Sequence, residues 1–158
     1  MSELDGDELE ALVRDLAADT ERWEQLVTHS RDRRHYVELH RDDDVAVWLI
    51  CWMDDQDTGF HDHDLSGGAV AVVKGEVAED RLALGGPPVT RTFECGEAFH
   101  FSAADIHRVR HTGTEPAVTI HAYSPPLWRM GAYEVLPGGE LRRHSLSYAE
   151  ELRPLESP

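Results

Sequence analysis

Cysteine is scarce in this chain: Cys51 and Cys95 are the only two among 158 residues. They form no Cys-x-x-Cys pair, and two are too few for a disulfide framework. No apolar run approaches the roughly 18 residues that a membrane-spanning helix needs. No basic-then-apolar leader pattern is present either. Together these absences predict a cytoplasmic protein with free thiols. Basic residues are also few, with 15 Lys+Arg against 31 Asp+Glu and a formal charge of -16. That balance denies the chain the basic footprint of a nucleic-acid binder. It also disfavours docking on an anionic membrane surface. The surplus acid serves solubility, and it does not bar an anion from a pocket, where local charges decide.

What is present is enough for one folded unit. Hydrophobic residues make up 41% of the chain, sufficient for a core at this length but not for two ordinary domains. No repeat, linker or low-complexity segment interrupts it. The expected organisation is a helical lead over residues 1–33, a β-domain over 34–152 and a tail at 153–158. In the lead, Leu9, Leu12, Val13 and Leu16 recur at helical spacing among acidic residues. Asp19 or Thr20 offers an N-cap for a second short helix carrying Trp23, Leu26 and Val27.

From Arg34 the period changes to that of strands. Tyr36–Leu39, Val45–Trp52, Ala69–Val73, Val77–Leu82, Val89–Phe93 and Ala98–Phe101 are β-rich, as are His107–Arg110, Ala117–Tyr123, Tyr133–Leu136 and Leu141–His144. Gly67-Gly68, Gly85-Gly-Pro-Pro88, Cys95-Gly96 and Pro137-Gly138-Gly139 read as breaks or turns between them. Short strands at regular spacing predict a mainly β fold, a sandwich or small barrel.

The candidate chemistry starts at His61-Asp62-His63. Side chains at i and i+2 of a strand share a face, so two imidazoles there can grip a metal from one side. A site needs at least a third ligand. His107 is the candidate, because Gly96 to His107 reads as strand, tight turn and strand, which can fold it beside the histidine pair. Three histidines suit zinc as readily as iron, so the residues alone leave the metal open.

Residues 59–75 resemble the first motif of the cupin superfamily, and 96–111 the second. In the second motif the usual proline, glycine and asparagine are Ser102, Ala104 and His111; in the first, the usual glutamate ligand is Gly68. Further pieces are Cys51-Trp52, Asp105-Ile-His-Arg-Val109 and Thr114 to Pro126, which includes His121-Ala-Tyr-Ser-Pro-Pro126. With them, the chain resembles the cysteine dioxygenase family of thiol dioxygenases over roughly residues 34–135. The resemblance implies a cupin fold, a small β-barrel or jelly-roll behind a short helical lead. It implies Fe(II) held by His61, His63 and His107, with a small thiol and O2 as reactants and a sulfinic acid as product. Three neutral imidazoles leave the ion its full positive charge, which favours holding a thiolate.

Thr119, His121 and Tyr123 share one strand face by their spacing of two. The resemblance implies a relay in which the hydroxyl holds the histidine and the histidine holds the phenol. The family's tyrosine–cysteine crosslink has no counterpart, because its cysteine position is Gly68. The family's substrate arginine position falls on His35 or Tyr36; Arg34 shares strand parity with Tyr36 and can form the pair in exchanged order, with Arg33 and Arg129 as further candidates. That arginine forks onto the substrate carboxylate, as a planar guanidinium can. The displaced arginine leaves L-cysteine and 3-mercaptopropionate both open as substrates. Two other classes compete: a zinc or nickel cupin acting as hydrolase or isomerase, and a ligand sensor without turnover. The expected state is a monomer acting on small molecules.

Overall fold

The computed structural model describes residues 3–147. The expected end of the β-domain at 152 and the tail at 153–158 lie outside the described residues. Helix α1 spans Gly6–Ala18 and starts on a capping box. The Asp5 carboxylate accepts from the Glu8 backbone N–H at 2.8 Å, and Glu8 accepts from the Asp5 N–H at 3.1 Å. Both satisfy donors that a helix start leaves orphaned. Leu9, Val13 and Leu16 form the buried stripe.

The expected second helix is instead two 3-10 turns, Thr20–Arg22 and Glu24–Leu26. The buried Trp23 indole N–H donates back to the Leu16 carbonyl at 3.1 Å. That bond ties the turns onto the end of α1, and a new α-helical axis never starts.

Eleven strands follow within the described residues: β1 His35–Arg41, β2 Ala46–Trp52, β3 His61–Asp62, β4 Gly67–Lys74, β5 Glu76–Arg81, β6 Val89–Glu94, β7 Ala98–Phe101, β8 His107–Thr112, β9 Ala117–Ser124, β10 Arg129–Val135 and β11 Leu141–Ser147. They form two antiparallel sheets, ordered β1-β2-β9-β4-β7 and β11-β10-β3-β8-β5-β6. This is the mainly β, cupin-like arrangement that the sequence predicts.

Strand parity sorts the core into two layers. Trp48, Ile50, Trp52, Val70, Val72 and Tyr123 face the interior between the sheets. Their neighbours Val47, Leu49, Cys51, Ala69, Ile120 and Ala122 face the other way and pack under α1 and Trp23. Strands β2 and β9 are therefore buried at every position. Covering both faces explains the unbroken apolar run through Val45–Trp52, because no solvent face calls for alternation. It also fixes Cys51 as an outer-layer residue, away from the interior that Trp52 enters.

Two boundaries differ from the sequence reading. Gly67-Gly68 does not break the chain but opens β4. Gly68 pairs with Tyr123, and a Cβ on it would collide with the Phe101 ring. The missing side chain there makes room for an aromatic ring. Strand β10 starts at Arg129, four residues before the expected Tyr133, because Gly131 and Ala132 pair with Asp62 and His61. A Cβ at Gly131 would collide with the Arg143 guanidinium, which pairs with Asp62.

Leu9 is 1% exposed in the outer layer. Leu9→Ala should cost about 2–5 kcal/mol of stability, read by chemical denaturation. The interior histidines lie across the sheet from it, so metal uptake by the folded fraction should be unchanged.

Candidate metal centre and its surroundings

His61 and His107 are direct register partners across β3 and β8. The irregular segment before β3 lies along β8 and sets that register. The Thr58 N–H donates to the Val109 carbonyl at 2.9 Å, the Val109 N–H to Thr58 Oγ1 at 3.0 Å, and the His111 N–H to the Gln56 carbonyl at 2.9 Å. His63 follows just past β3. There its carbonyl accepts from the Ser66 N–H at 2.9 Å in a turn, which Asp64 enters with φ at 57°. An aspartate tolerates that left-handed conformation because its short side chain bonds locally.

Asp62, between the two histidines, points away from the cluster. Its carboxylate accepts from the Gly131 N–H, from Arg143 Nε and Nη2 and from the Tyr133 hydroxyl. Burial pushes this carboxyl up, but the Arg143 and Tyr133 bonds outweigh it and hold it well below the usual carboxylate range. Asp62 thus clamps β3 to β10 and β11.

The three imidazoles converge. Their ring centroids lie 4.7, 4.8 and 5.0 Å apart, and one nitrogen from each lies within 4.8 Å of the others. All three are at most 4% exposed. His61 Nδ1 lies 2.9 Å from the Gly59 carbonyl, which can only accept, so this nitrogen carries the proton and Nε2 the lone pair. His107 Nδ1 lies 2.7 Å from Glu79 Oε2, which assigns that ring the same way. Both ring nitrogens of His63 are buried with no hydrogen-bond partner among the described residues. Orphaning a buried polar atom costs free energy, and a cation bound to the ring's one lone pair removes that cost at one of the two nitrogens. Burial first, then the neighbouring imidazoles, pushes His61 and His63 well below the ordinary histidine value. These two rings are therefore neutral at neutral pH, the form a metal binds. On donor type, burial and convergence, the residues fit a metal ion.

Thr119, His121 and Tyr123 line the inner face of β9 as expected, and Trp52 joins them. Its indole N–H, which can only donate, gives a 2.8 Å bond to Thr119 Oγ1. Thr119 Oγ1 is 2.6 Å from His121 Nε2. Of these two neighbours only His121 Nε2 can accept, so the buried hydroxyl proton goes to it. His121 is then protonated on Nδ1, which faces the Tyr123 hydroxyl at 3.4 Å. Burial, with help from the His107 and Arg34 charges, pushes His121 down to about 3. The Tyr123 ring lies 5.2 Å from His63. Phe101 stacks on His63 at 4.5 Å and sits 4.4 Å from His107, closing the cluster from that side.

Arg34 and Tyr36 part company. Arg34 is 2% exposed, with its guanidinium carbon 5.3 Å from the Trp52 ring centre. Its charge contributes to the depressed His61 and His121 values, so it acts on the interior. It also lines a surface pocket of about 530 Å³ with Arg31, Arg33, Met53, Asp54 and Gln56. Tyr36 is 36% exposed and meets Trp48 edge-on at 5.8 Å. Arg129 is exposed and bonds Ser145. Cys51 and Cys95 are free thiols. The sequence reading missed Glu79, although its parity with Val77 on β5 signalled an inward face.

The Cysteine dioxygenase type I family model matches residues 1–135. Human cysteine dioxygenase type 1 is 24% identical over 149 residues, spanning 86% of this chain and 73% of its own. Among solved structures, the TT1209 protein of Thermus thermophilus superposes with a TM-score of 0.58 at 17% identity, over 65% of this chain and 93% of its own. A cupin superfamily protein from Desulfitobacterium hafniense gives 0.55 at 12% identity, over 65% and 87%. These structural likenesses concern the fold.

The buried histidines make the metal-free chain sensitive to acid. An unfolded histidine takes up a proton near 6.5, whereas folded His121 resists to about 3, and His61 and His63 are depressed in the same direction. Between those limits the unfolded state binds more protons. Stability should therefore fall as the pH drops from 6.5 toward 3. Denaturant midpoints of the apo chain at neutral pH and at about pH 5 test this, and saturating metal should flatten the difference.

Proposed function

We propose that this chain, which belongs to the cysteine dioxygenase type I family, is a thiol dioxygenase that converts a small thiol carboxylate, L-cysteine first, to its sulfinic acid. The single observation that carries the reading is the Trp52–Thr119–His121–Tyr123 chain of contacts ending beside three converged imidazoles. A metal-storage or sensor site has no use for a phenol delivered in that way.

His61, His63 and His107 would hold Fe(II), which would supply the chemistry that activates the thiol and O2. The chain's own residues do the rest. Trp52 fills a lone pair of Thr119, so Thr119 donates to His121 Nε2 and fixes the tautomer. His121 presents Nδ1–H to the Tyr123 oxygen, which leaves the phenol proton for a group in the site. His121 stays neutral, so the relay orients a proton without adding charge. Phe101, Leu127 and Met130, all at most 2% exposed, exclude bulk water, which strengthens every polar contact within.

Arg34 is the substrate-orienting residue in this reading. In this reading its guanidinium, buried against Trp52 and lining the surface pocket, holds a carboxylate while the sulfur points inward. A local cation of this kind draws an anionic thiol into a chain whose net charge is -16. The reactants are free small molecules, and the reading places a monomer in the cytoplasm. The alternative substrate with the same recognition chemistry is 3-mercaptopropionate, which lacks only the amine.

Anaerobic loading with Fe(II), followed by a thiol panel and air, tests the proposal. Oxygen uptake with a product two oxygen atoms heavier than the thiol is expected, and no uptake with any thiol overturns the assignment. His63→Ala should lose both metal and activity. Tyr123→Phe should keep metal and slow turnover about 10²-fold or more; wild-type turnover would remove the relay. Arg34→Gln should raise KM for carboxylate thiols about 10–100-fold, the worth of a charge-assisted pair, and leave KM for cysteamine unchanged.

A further inference from the structure

The cluster's three ligands are all imidazoles, yet only one of them is tied to a fully buried anion. Glu79 is 0% exposed on β5, where it faces Val109 of β8 in register. Its Oε2 accepts from His107 Nδ1 at 2.7 Å and from Arg81 Nη2 at 2.9 Å. Its Oε1 accepts from Arg91 Nη2 at 3.1 Å and Arg81 Nη2 at 3.2 Å. Arg81 is braced in turn by the His100 carbonyl at 3.1 Å and by Asp105 at 3.5 Å. The other two ligands lack this support: His61 rests on a neutral carbonyl, and His63 has no hydrogen-bond partner among the described residues. A buried carboxylate is costly unless paired, and here both guanidiniums hold it ionised and still. Solvent does not reach it, so its charge acts on the one group that leads into the cluster, the His107 ring.

We propose that Glu79 is the positioning residue of the metal centre: it locks His107 with Nε2 toward the ion, and its charge makes that imidazole the strongest donor of the three. Arg81 and Arg91 set how much of the charge reaches the ring. Arg91, half-exposed at the sheet edge, tempers it from outside. The proposal rests on the metal assignment made above but not on the identity of the thiol.

The test is metal binding by the purified full chain, with no thiol present. Affinities for Fe(II) and Co(II) come from anaerobic competition with a chelator, and the iron midpoint potential from titration. Glu79→Gln keeps the shape and removes the charge. It should weaken both metals about 10–100-fold, the usual cost of losing such a partner, and move the potential upward. Arg91→Gln removes a cation from the far oxygen and should do the opposite, tightening both metals and lowering the potential. If Glu79 only latches β5 to β8, both variants bind less metal in step with their lost thermal stability, and the potential stays put; that result overturns the proposal. Wild-type affinity and potential in Glu79→Gln overturn it as well. A wild-type chain that takes up neither metal overturns this proposal and the metal assignment together. A chain that shows the two opposite shifts but oxidises no thiol keeps Glu79 in its role and removes only the enzymatic reading.

Discussion

Everything in the interior depends on three imidazoles being buried together. Burial and the neighbouring imidazoles disfavour the protonated forms of His61 and His63. The result is a cluster of imidazole nitrogens in a buried, aromatic-lined space. Such a cluster is poorly satisfied by protein alone, as the bare nitrogens of His63 show. The same burial that makes the cluster a metal site makes it a weak point in acid. Stability and chemistry are one property here, and a bound cation serves both.

The sheets are arranged to hold that space. Strand β9 carries the relay on its inner face and the outer-layer core on the other, so one strand links the packing of α1 to the position of Tyr123. Asp62 does similar work between the two histidines. By gripping Arg143, Tyr133 and the Gly131 N–H, it anchors the two-residue β3 against a long hairpin. Without side chains, Gly68 and Gly131 give up space to the Phe101 ring and the Arg143 guanidinium. Gly68 reads as part of a break from sequence and Gly131 falls before the expected strand, yet both lie inside strands, because the ring or guanidinium that fills the space comes from a distant part of the chain.

Much of the centre was legible before any coordinates. The two-residue spacing of His61 and His63, and of Thr119, His121 and Tyr123, carries its own geometry, because a strand returns a side chain to the same face every second residue. Glu79 shared that parity with Val77 but stood in a run of charges, Glu79-Asp80-Arg81, that looks like a solvated face. Only the contacts separate Glu79, paired with a metal-ligand candidate, from Asp80, which pairs with Arg108 and Arg110. The bond from Trp52 to Thr119 was not legible, because the direction of an indole N–H is not written in its spacing. The 3-10 turns after α1 were missed for a related reason: the bond from Trp23 to the Leu16 carbonyl outweighed local helical preference.

The amino-acid order by itself determined the local facts: which residues share a face, where the period changes from helix to strand, and which side chains are metal ligands by chemistry. Those follow from backbone geometry that repeats over a few residues. The tertiary structure alone decided what lies across from what: His107 opposite His61, Glu79 behind His107, Arg34 over Trp52, and Tyr36 on the rim. Such pairings join strands far apart in the chain through register and packing, and no short-range period encodes them.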